Sequence, residues 1–231
     1  MQKDYSLFFI RHGKLLLPYK SHNKMPFQIL ADLAIEKLNP PIDKIYTIKL
    51  IKKISKIIPF DKLDIIYTSS SKRCLETSKL IKQFIHQKLK KEIDIKIIYE
   101  LKEIYFNLDK IYPKNKNFNP KYLNNNVLKA MAKIDDKTCE PVNTVSYNRI
   151  NKIFKKILKI RNKKILFVTH DFIMRVIEIY IKNKGGKRII TYKGLKKTDR
   201  NKYLCGFMTD GKLSKFAKLK TRATINKIIS K

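Results

Sequence analysis

Residues 7–13 read Leu7-Phe8-Phe9-Ile10-Arg11-His12-Gly13, a short apolar run that ends in an arginine, a histidine and a glycine. The four apolar residues have the length and composition of a strand that is buried on both faces. Three further runs of this kind occur along the chain, at residues 63–67, 95–99 and 165–168. The sequence therefore predicts four buried strands.

Segments with a helical period lie between and after these strands. Apolar residues recur at intervals of three and four residues in segments 77–85, 150–158 and 173–181. This spacing is typical of amphipathic helices, and helices that alternate with buried strands are typical of βαβ units. The pattern predicts an α/β protein with three layers, α/β/α, around a mainly parallel sheet.

Two insertions interrupt this alternation. Residues 14–60 are expected to contain one or two helices, for instance around 29–38 and 45–57, and residues 104–127 are rich in Asn, Pro, Lys and Tyr. A polar insertion of the second kind is either a lid over a functional site or a poorly ordered excursion. Its aromatic residues either pack over a ligand or pin the loop to the core. These aromatic residues are Tyr105, Phe106, Tyr112 and Phe118.

The domain organisation follows from length and composition. No Pro/Gly/Ser-rich linker divides the 231 residues, so we expect a single domain over residues 1–231 that carries both insertions. Towards the C-terminus, segments 188–192, 204–208 and 213–219 predict edge strands. The pair Asp210-Gly211 is typical of a hairpin turn between the last two.

The net charge of +34 arises from 45 lysines and eight arginines against 19 acidic residues. Such a charge attracts anionic partners, whether nucleic acid, a membrane surface or a phosphorylated substrate. It is also what solvated, lysine-rich surfaces acquire by compositional drift. Arginine, which binds bases and phosphates more specifically than lysine does, is not enriched. The charge alone therefore does not select a partner.

Cellular location is indicated by what the sequence lacks. Cys74, Cys139 and Cys205 are far apart and have neither metal-ligand spacing nor a disulfide framework, as is usual in a reducing compartment. The apolar run at residues 7–10 is too short for the core of a signal peptide, and no segment approaches the roughly 18 apolar residues of a membrane span. We expect a cytoplasmic protein with no metal site and no contact with a membrane.

Polar residues follow each of the four predicted strands. The first strand leads into Arg11-His12-Gly13, the second into residues 68–73, the third into residues 100–103 and the fourth into Thr169-His170-Asp171. Parallel strands present their carboxyl ends at one edge of a sheet, where ligands of open α/β sheets bind. We therefore expect His12 and His170 to face one another across a single site.

These residue types suit phosphoryl transfer. Arg11 and Arg73 offer guanidinium forks that match phosphate oxygens, and a neutral imidazole at His12 can attack phosphorus. The departing alkoxide needs a proton, which Glu103 or Asp171 can supply. Each residue also has an ordinary structural interpretation: a hydrogen-bonded histidine, a solvated arginine or a surface carboxylate. Their shared placement after strands favours the functional interpretation.

At these positions the chain resembles the histidine phosphatase superfamily, which includes phosphoglycerate mutases and many small phosphatases. Arg11-His12-Gly13 resembles the signature opening of the family, residues 69–77 its second motif, residues 101–103 the turn that bears the acid, and residues 168–170 its fourth motif. The resemblance implies a phosphohistidine intermediate at His12, without metal or organic cofactor. It also implies a phosphoryl pocket of Arg11, Arg73 and His170, and Glu103 as proton donor.

Two departures from the family pattern bear on the reaction. Asp171 stands where the small-phosphatase branch commonly has glycine, and a His-Asp pair at this place supplies the acid in the acid-phosphatase branch. The Trp-Asn pair of the mutases is absent, which favours hydrolysis of phosphate monoesters over mutase activity. The expected substrate is a phosphorylated small molecule or a phosphoprotein. The alternative is an inactive member of the fold that binds nucleic acid or another polyanion through its basic surface.

Overall fold

The computed structural model describes residues 6–19, 24–113, 118–133, 137–158, 163–186, 189–198 and 202–219. Six strands lie within these ranges: β1 (Leu7–Arg11), β2 (Ile65–Thr68), β3 (Asp94–Ile97), β4 (Ile165–Thr169), β5 (Gly206–Thr209) and β6 (Phe216–Leu219). They form one sheet in the order β3-β2-β4-β1-β5-β6. The first four strands pair in parallel, whereas β5 and β6 are antiparallel. The predicted mainly parallel sheet is confirmed.

The described part of the chain contains eight α-helices: α1 (Phe27–Ala34), α2 (Lys44–Ile54), α3 (Lys72–Leu89), α4 (Leu108–Ile111), α5 (Leu123–Ala132), α6 (Tyr147–Ile157), α7 (Asp171–Lys182) and α8 (Tyr192–Lys197). Three of them, α3, α6 and α7, are the helices whose period is plain in the sequence. Of the one or two helices predicted in the first insertion, the structure has both, as α1 and α2. Both are slightly shorter than their predicted segments.

The sheet separates two apolar cores, because successive side chains of a strand point to opposite faces. Phe9 of β1 packs into the core that includes α5, α6 and α7. Its neighbours Phe8 and Ile10 pack into the core that includes α2 and α3. Phe9 stacks on Phe167 of β4 with ring centroids 4.4 Å apart, which joins the two central strands. This arrangement confirms the predicted three layers.

One predicted edge strand is wrong. Arg188 lies outside the described residues, but Ile189 and Ile190 are not in a strand, and Tyr192 begins α8. The reason is a side chain that replaces a neighbouring strand: Asn143 accepts from the backbone N–H of Ile190 at 2.6 Å and donates to its carbonyl at 3.1 Å. With both backbone groups satisfied in this way, the segment needs no partner strand.

The other two predicted edge strands are confirmed as β5 and β6, each shorter than its predicted segment. Asp210 lies in the turn between them, as expected for the Asp210-Gly211 pair. Its carboxylate accepts from the backbone N–H groups of Ser214 at 2.7 Å and Lys215 at 3.1 Å. These contacts fix the hairpin.

The second insertion packs against the body of the protein, apart from residues 114–117, which lie outside the described part. Tyr112 and Phe118 meet edge to face with ring centroids 5.2 Å apart, and Phe118 does the same with Phe27 of α1 at 4.9 Å. Phe106 is buried against Phe172, whereas Tyr105 is exposed. Most of the aromatic residues therefore pin the insertion to the core.

Candidate active site

The loops that follow the parallel strands bring the two histidines together. Arg11 of β1 lies opposite Thr169 of β4 in the sheet register, so the next residues, His12 and His170, leave the same edge side by side. Their ring centroids are 5.3 Å apart with the rings inclined at 64°. The backbone N–H of His12 donates to the carbonyl of Thr169 at 2.9 Å, which holds the two loops in step.

The ring of His12 is fixed in one tautomer. Its Nδ1 lies 2.8 Å from the carbonyl oxygen of Gly13. A carbonyl only accepts, so Nδ1 carries the proton of the neutral ring and Nε2 carries the lone pair. Gly13 is held in turn, because its N–H donates to Thr77 Oγ1 at 2.8 Å and that hydroxyl donates to the carbonyl of Arg73 at 2.6 Å.

His170 is completely buried and is held through both ring nitrogens. Its Nδ1 accepts from Arg73 Nε at 3.2 Å, and its Nε2 lies 3.0 Å from Ser69 Oγ and 3.2 Å from Ser71 Oγ. Burial, followed by the charges of Arg73, His12 and Arg11, holds the pKa of His170 well below its ordinary value. A neutral ring in this arrangement positions the Arg73 guanidinium.

The two arginines reach the site from different elements. Arg11 lies at the end of β1, and its guanidinium carbon is 4.6 Å from the ring centroid of Tyr203. Arg73 is buried in the first turn of α3 and forms an ion pair with Glu36 at 3.2 Å. Sequence reasoning missed both Glu36 and Tyr203. Neither follows a parallel strand, so no spacing in the sequence points to them.

Glu103 lies in the loop after β3, and its carboxylate reaches the amino end of α7. Oε1 accepts from the backbone N–H of Ile173 at 3.0 Å and from that of Ile104 at 3.0 Å. Burial raises the pKa of Glu103 to about 7, and the negative charge of Asp171 adds to the rise against the lowering effect of these hydrogen bonds. A carboxyl group with this pKa can give and take a proton near neutral pH.

The loop that carries Glu103 is held by two side chains outside the predicted set of site residues. Thr169 Oγ1 donates to the carbonyl of Leu101 at 2.6 Å. Arg149 of α6 donates to the carbonyls of Glu100 at 3.2 Å and Lys102 at 3.1 Å. These contacts position the acid from β4 on one side and from α6 on the other.

Asp171, the second candidate acid, is the first residue of α7. Its Oδ2 lies 3.4 Å from Nη2 of Arg175, which is buried and also donates to the carbonyl of Thr198 at 3.1 Å. Asp171 therefore takes part in a buried ion pair. Glu103 accepts instead from backbone N–H groups, and of the two carboxyl groups it is the better suited to hold a transferable proton.

A cavity of about 280 Å³ opens at this edge of the sheet. Its charged end is lined by Arg11, His12, Arg73, Glu103 and Asp171, so five of the six predicted site residues border one space. His170, the sixth, lies behind Arg73 and is not among the lining residues. Elsewhere the wall of the cavity is mainly apolar.

Other kinds of site find little support in the described ranges. These ranges hold no group of three or more His, Cys, Asp or Glu side chains arranged to bind a metal ion. Burial raises the pKa of the Cys74 thiol to about 12, which keeps it protonated beside His170. Among the described helices, none has the length and apolar character needed to span a bilayer.

Several solved structures share this fold. A mycobacterial glucosyl-3-phosphoglycerate phosphatase matches with a TM-score of 0.60 and 9% identity, covering 94% of this chain and 97% of its own. A putative α-ribazole-5′-P phosphatase from Escherichia coli matches with a TM-score of 0.58 and 16% identity, and the match covers 96% of this chain and 98% of that protein. The phosphoserine phosphatase of Entamoeba histolytica matches with a TM-score of 0.52 and 17% identity, and the match covers 94% of this chain and 98% of that protein. At these identities the likeness shows the fold alone.

Sequence comparison supplies the family. No curated protein sequence matches the chain. The family model described as "Histidine phosphatase superfamily (branch 1)" matches residues 48–194, more than half of the chain, and this range includes Arg73, Glu103 and His170. His12 precedes the matched range, and its place beside His170 comes from the structure. The chain therefore belongs to the histidine phosphatase superfamily.

Proposed function

We propose that this protein is a phosphatase that hydrolyses phosphate monoesters through a phosphohistidine on His12. The observation that carries the proposal is the hydrogen bond from His12 Nδ1 to the carbonyl of Gly13, because it leaves the lone pair on Nε2. His12 lines the cavity together with two arginines and a carboxyl group of raised pKa. These are the groups that a nucleophilic attack on a phosphate dianion requires.

Arg11 and Arg73 are the proposed phosphoryl ligands. Both line the cavity, and each guanidinium can donate two parallel hydrogen bonds to phosphate oxygens. Arg73 is held at Nε by His170 and at Nη2 by Glu36. Donors fixed before the substrate arrives need little rearrangement in the transition state, so their electrostatic stabilisation is large. Under this proposal His170 acts through Arg73, and its direct contact with the phosphoryl group stays a prediction.

The reaction proceeds in two steps. In the first, His12 Nε2 forms a bond to phosphorus while the bond from phosphorus to the ester oxygen breaks. The proton of the Glu103 carboxyl group passes to the departing oxygen, which leaves as an alcohol. In the second, a water oxygen attacks phosphorus and gives a proton to the Glu103 carboxylate. The bond from phosphorus to Nε2 breaks, inorganic phosphate leaves, and both residues return to their starting state.

A small phosphorylated molecule is the proposed substrate. The cavity has the volume of a small-ligand site, and the structural neighbours include phosphatases named for glucosyl-3-phosphoglycerate and phosphoserine. A phosphoprotein substrate remains a prediction from sequence alone, binding of nucleic acid remains the alternative, and mutase activity remains the less favoured reaction. We propose action on small phosphate monoesters within the cytoplasm.

The test compares two histidine variants. With p-nitrophenyl phosphate and a chelator present, we expect the wild-type protein to turn over and His12→Ala to lose at least about 10³-fold in kcat. His86→Ala removes an exposed histidine of α3 and is the matched control, with full activity expected. A phosphoryl group that is labile in acid and stable in alkali should be trapped on the wild-type and His86→Ala proteins but not on His12→Ala. Undiminished turnover by His12→Ala would overturn the proposal.

A further inference from the structure

Beyond its charged end, the cavity is walled largely by apolar side chains. These include Leu30 and Leu33 of α1, Phe106 of the second insertion, Val127 of α5 and Phe172 of α7. They come from three regions of the chain, the first insertion, the second insertion and α7, so their convergence is a property of the tertiary structure. Both insertions that interrupt the βαβ pattern contribute to this wall.

The polar groups available along this wall are few. Apart from the charged cluster, the described lining residues with polar side chains are Lys121 and Asn124. Asn124 Oδ1 lies 3.5 Å from Nη2 of Arg175, so part of its hydrogen-bonding capacity is used within the protein. A sugar or a glycerate would bury several hydroxyl or carboxylate groups against such a wall with few partners, which is strongly unfavourable.

The charged end leaves no further partner for a second polar group of the substrate. Arg11 and Arg73 are the proposed phosphoryl ligands, Glu103 is the proposed proton donor, and Asp171 is paired with Arg175. A second polar or anionic group would therefore depend on the few polar side chains of the wall. An uncharged hydrocarbon needs no such partner and gains from leaving water.

We infer that the substrate of this site is the phosphate monoester of an uncharged, apolar alcohol or phenol, with its hydrocarbon part against the apolar wall. The inference rests on the proposed function and specifies its substrate class. A volume of about 280 Å³ admits a group the size of a hexyl chain or a substituted phenyl ring. The phosphate lies at Arg11 and Arg73, and the ester oxygen lies towards Glu103.

The first experiment measures binding with compounds that cannot be hydrolysed. Calorimetric titration should show hexylphosphonate binding at least about tenfold more tightly than methylphosphonate, since each buried methylene adds to affinity. Inorganic phosphate should displace both compounds. Equal affinities, or hexylphosphonate that phosphate fails to displace, would overturn the inference whether or not the protein shows turnover.

A matched pair of variants tests whether the preference for the hexyl group arises at the apolar wall. Leu33→Gln places an amide on the cavity wall and should reduce the hexyl-to-methyl affinity ratio at least about threefold. Ile35→Gln makes the same kind of change at an exposed position just beyond the same helix, outside the lining set, and should leave the ratio unchanged. Equal ratios in the two variants would contradict the assignment of the wall.

Turnover separates this inference from the proposed function. Hexyl phosphate and glycerol 3-phosphate are both esters of primary alcohols, so their intrinsic reactivities are similar. We expect kcat/KM at least about tenfold higher for hexyl phosphate. A preference for glycerol 3-phosphate would overturn the inference and leave the phosphatase standing. No hydrolysis of either, with tight displaceable binding of hexylphosphonate, would overturn the phosphatase and support the apolar site.

Discussion

Glu103 is subject to opposing influences on one carboxyl group. Burial and the charge of Asp171 disfavour its ionised form, whereas backbone N–H groups of Ile173 and Ile104 favour it. The outcome is a pKa of about 7. A group that remains protonated up to neutral pH and still accepts hydrogen bonds when ionised is suited to donate a proton in one step and receive it in the next.

The proton donor can be assigned by comparing Glu103→Gln with Asp171→Asn. With an alkyl phosphate, whose leaving group needs a proton, we expect Glu103→Gln to lower kcat by about 10²–10⁴-fold and Asp171→Asn by less. With p-nitrophenyl phosphate the Glu103→Gln loss should shrink, because that leaving group departs as a stable anion. A larger loss at Asp171 would reassign the acid.

The pH profile supplies an independent readout for the same residue. Because the raised pKa keeps Glu103 protonated below about pH 7, kcat of the wild-type protein for alkyl phosphates should fall as pH rises through that value. In Glu103→Gln this alkaline limb should disappear, leaving a low and flatter profile. Steady-state rates between pH 5 and pH 9 provide the measurement. If kcat of the variant still fell with rising pH, the fall would arise from a titrating group other than Glu103.

Among the site residues, the sequence predicts those that follow parallel strands and misses those brought in from elsewhere. His12, Glu103 and His170 each stand just beyond a strand, where the topology of an α/β sheet places function. Glu36 and Tyr203 contact the arginines through tertiary packing alone. Their neighbours in sequence carry no pattern, so composition and spacing cannot identify them.

The contact between the loop after β1 and helix α2 is very tight. A Cβ atom added at Gly13 would lie 2.5 Å from Thr47 Oγ1 and 2.8 Å from Thr47 Cγ2. Such distances are well inside van der Waals contact, so the helix or the loop would have to move. Glycine at position 13 therefore lets α2 approach the carbonyl that orients His12.

This contact predicts a pairwise rescue. Gly13→Ala should lower the free energy of unfolding by about 1–3 kcal/mol through overpacking. Thr47→Ala should cost less, because its buried Oγ1 finds no hydrogen-bond partner among the described residues. In the double variant the two closest Thr47 atoms, Oγ1 and Cγ2, are gone, so stability should recover towards that of Thr47→Ala alone. Urea denaturation of the four proteins measures the coupling, and additive losses would contradict a direct contact.

Whether a helix or strand could be predicted depends on how close in sequence the residues that determine it lie. Helices α3, α6 and α7 show their buried faces in the sequence, because a helix face recurs within a few residues. The segment at 189–190 is apolar enough for a strand, yet the side-chain amide of Asn143 satisfies its backbone. That partner lies 47 positions away in sequence. A contact of this range leaves no local pattern, and the strand prediction failed for that reason.

The central sheet contributes side chains to two apolar cores, one on each face. The sequence predicts that four strands present their carboxyl ends together, but it does not give their order, because several crossover arrangements fit one alternation of strands and helices. The observed order puts β1 and β4 at the centre. Their alternate side chains supply both cores, which couples the two faces.

We therefore expect the chain to unfold as one cooperative domain, and it carries a natural reporter in each core. Cys74 is buried in the core beneath α2 and α3, and Cys139 is buried in the core on the other face. Pulsed thiol labelling across a urea titration should expose both cysteines at the same midpoint. The partly exposed Cys205 serves as an internal control that labels earlier.

Conservative variants in each core sharpen this last prediction. Ile81→Val and Ile177→Val each remove one methyl group from a different core and should each lower the free energy of unfolding by about 1 kcal/mol. If the shared strands couple the two faces, either variant shifts the labelling midpoints of both Cys74 and Cys139 equally. If each core were an independent unit, Ile81→Val would shift Cys74 alone. Different labelling midpoints for Cys74 and Cys139 would show that the two cores unfold independently.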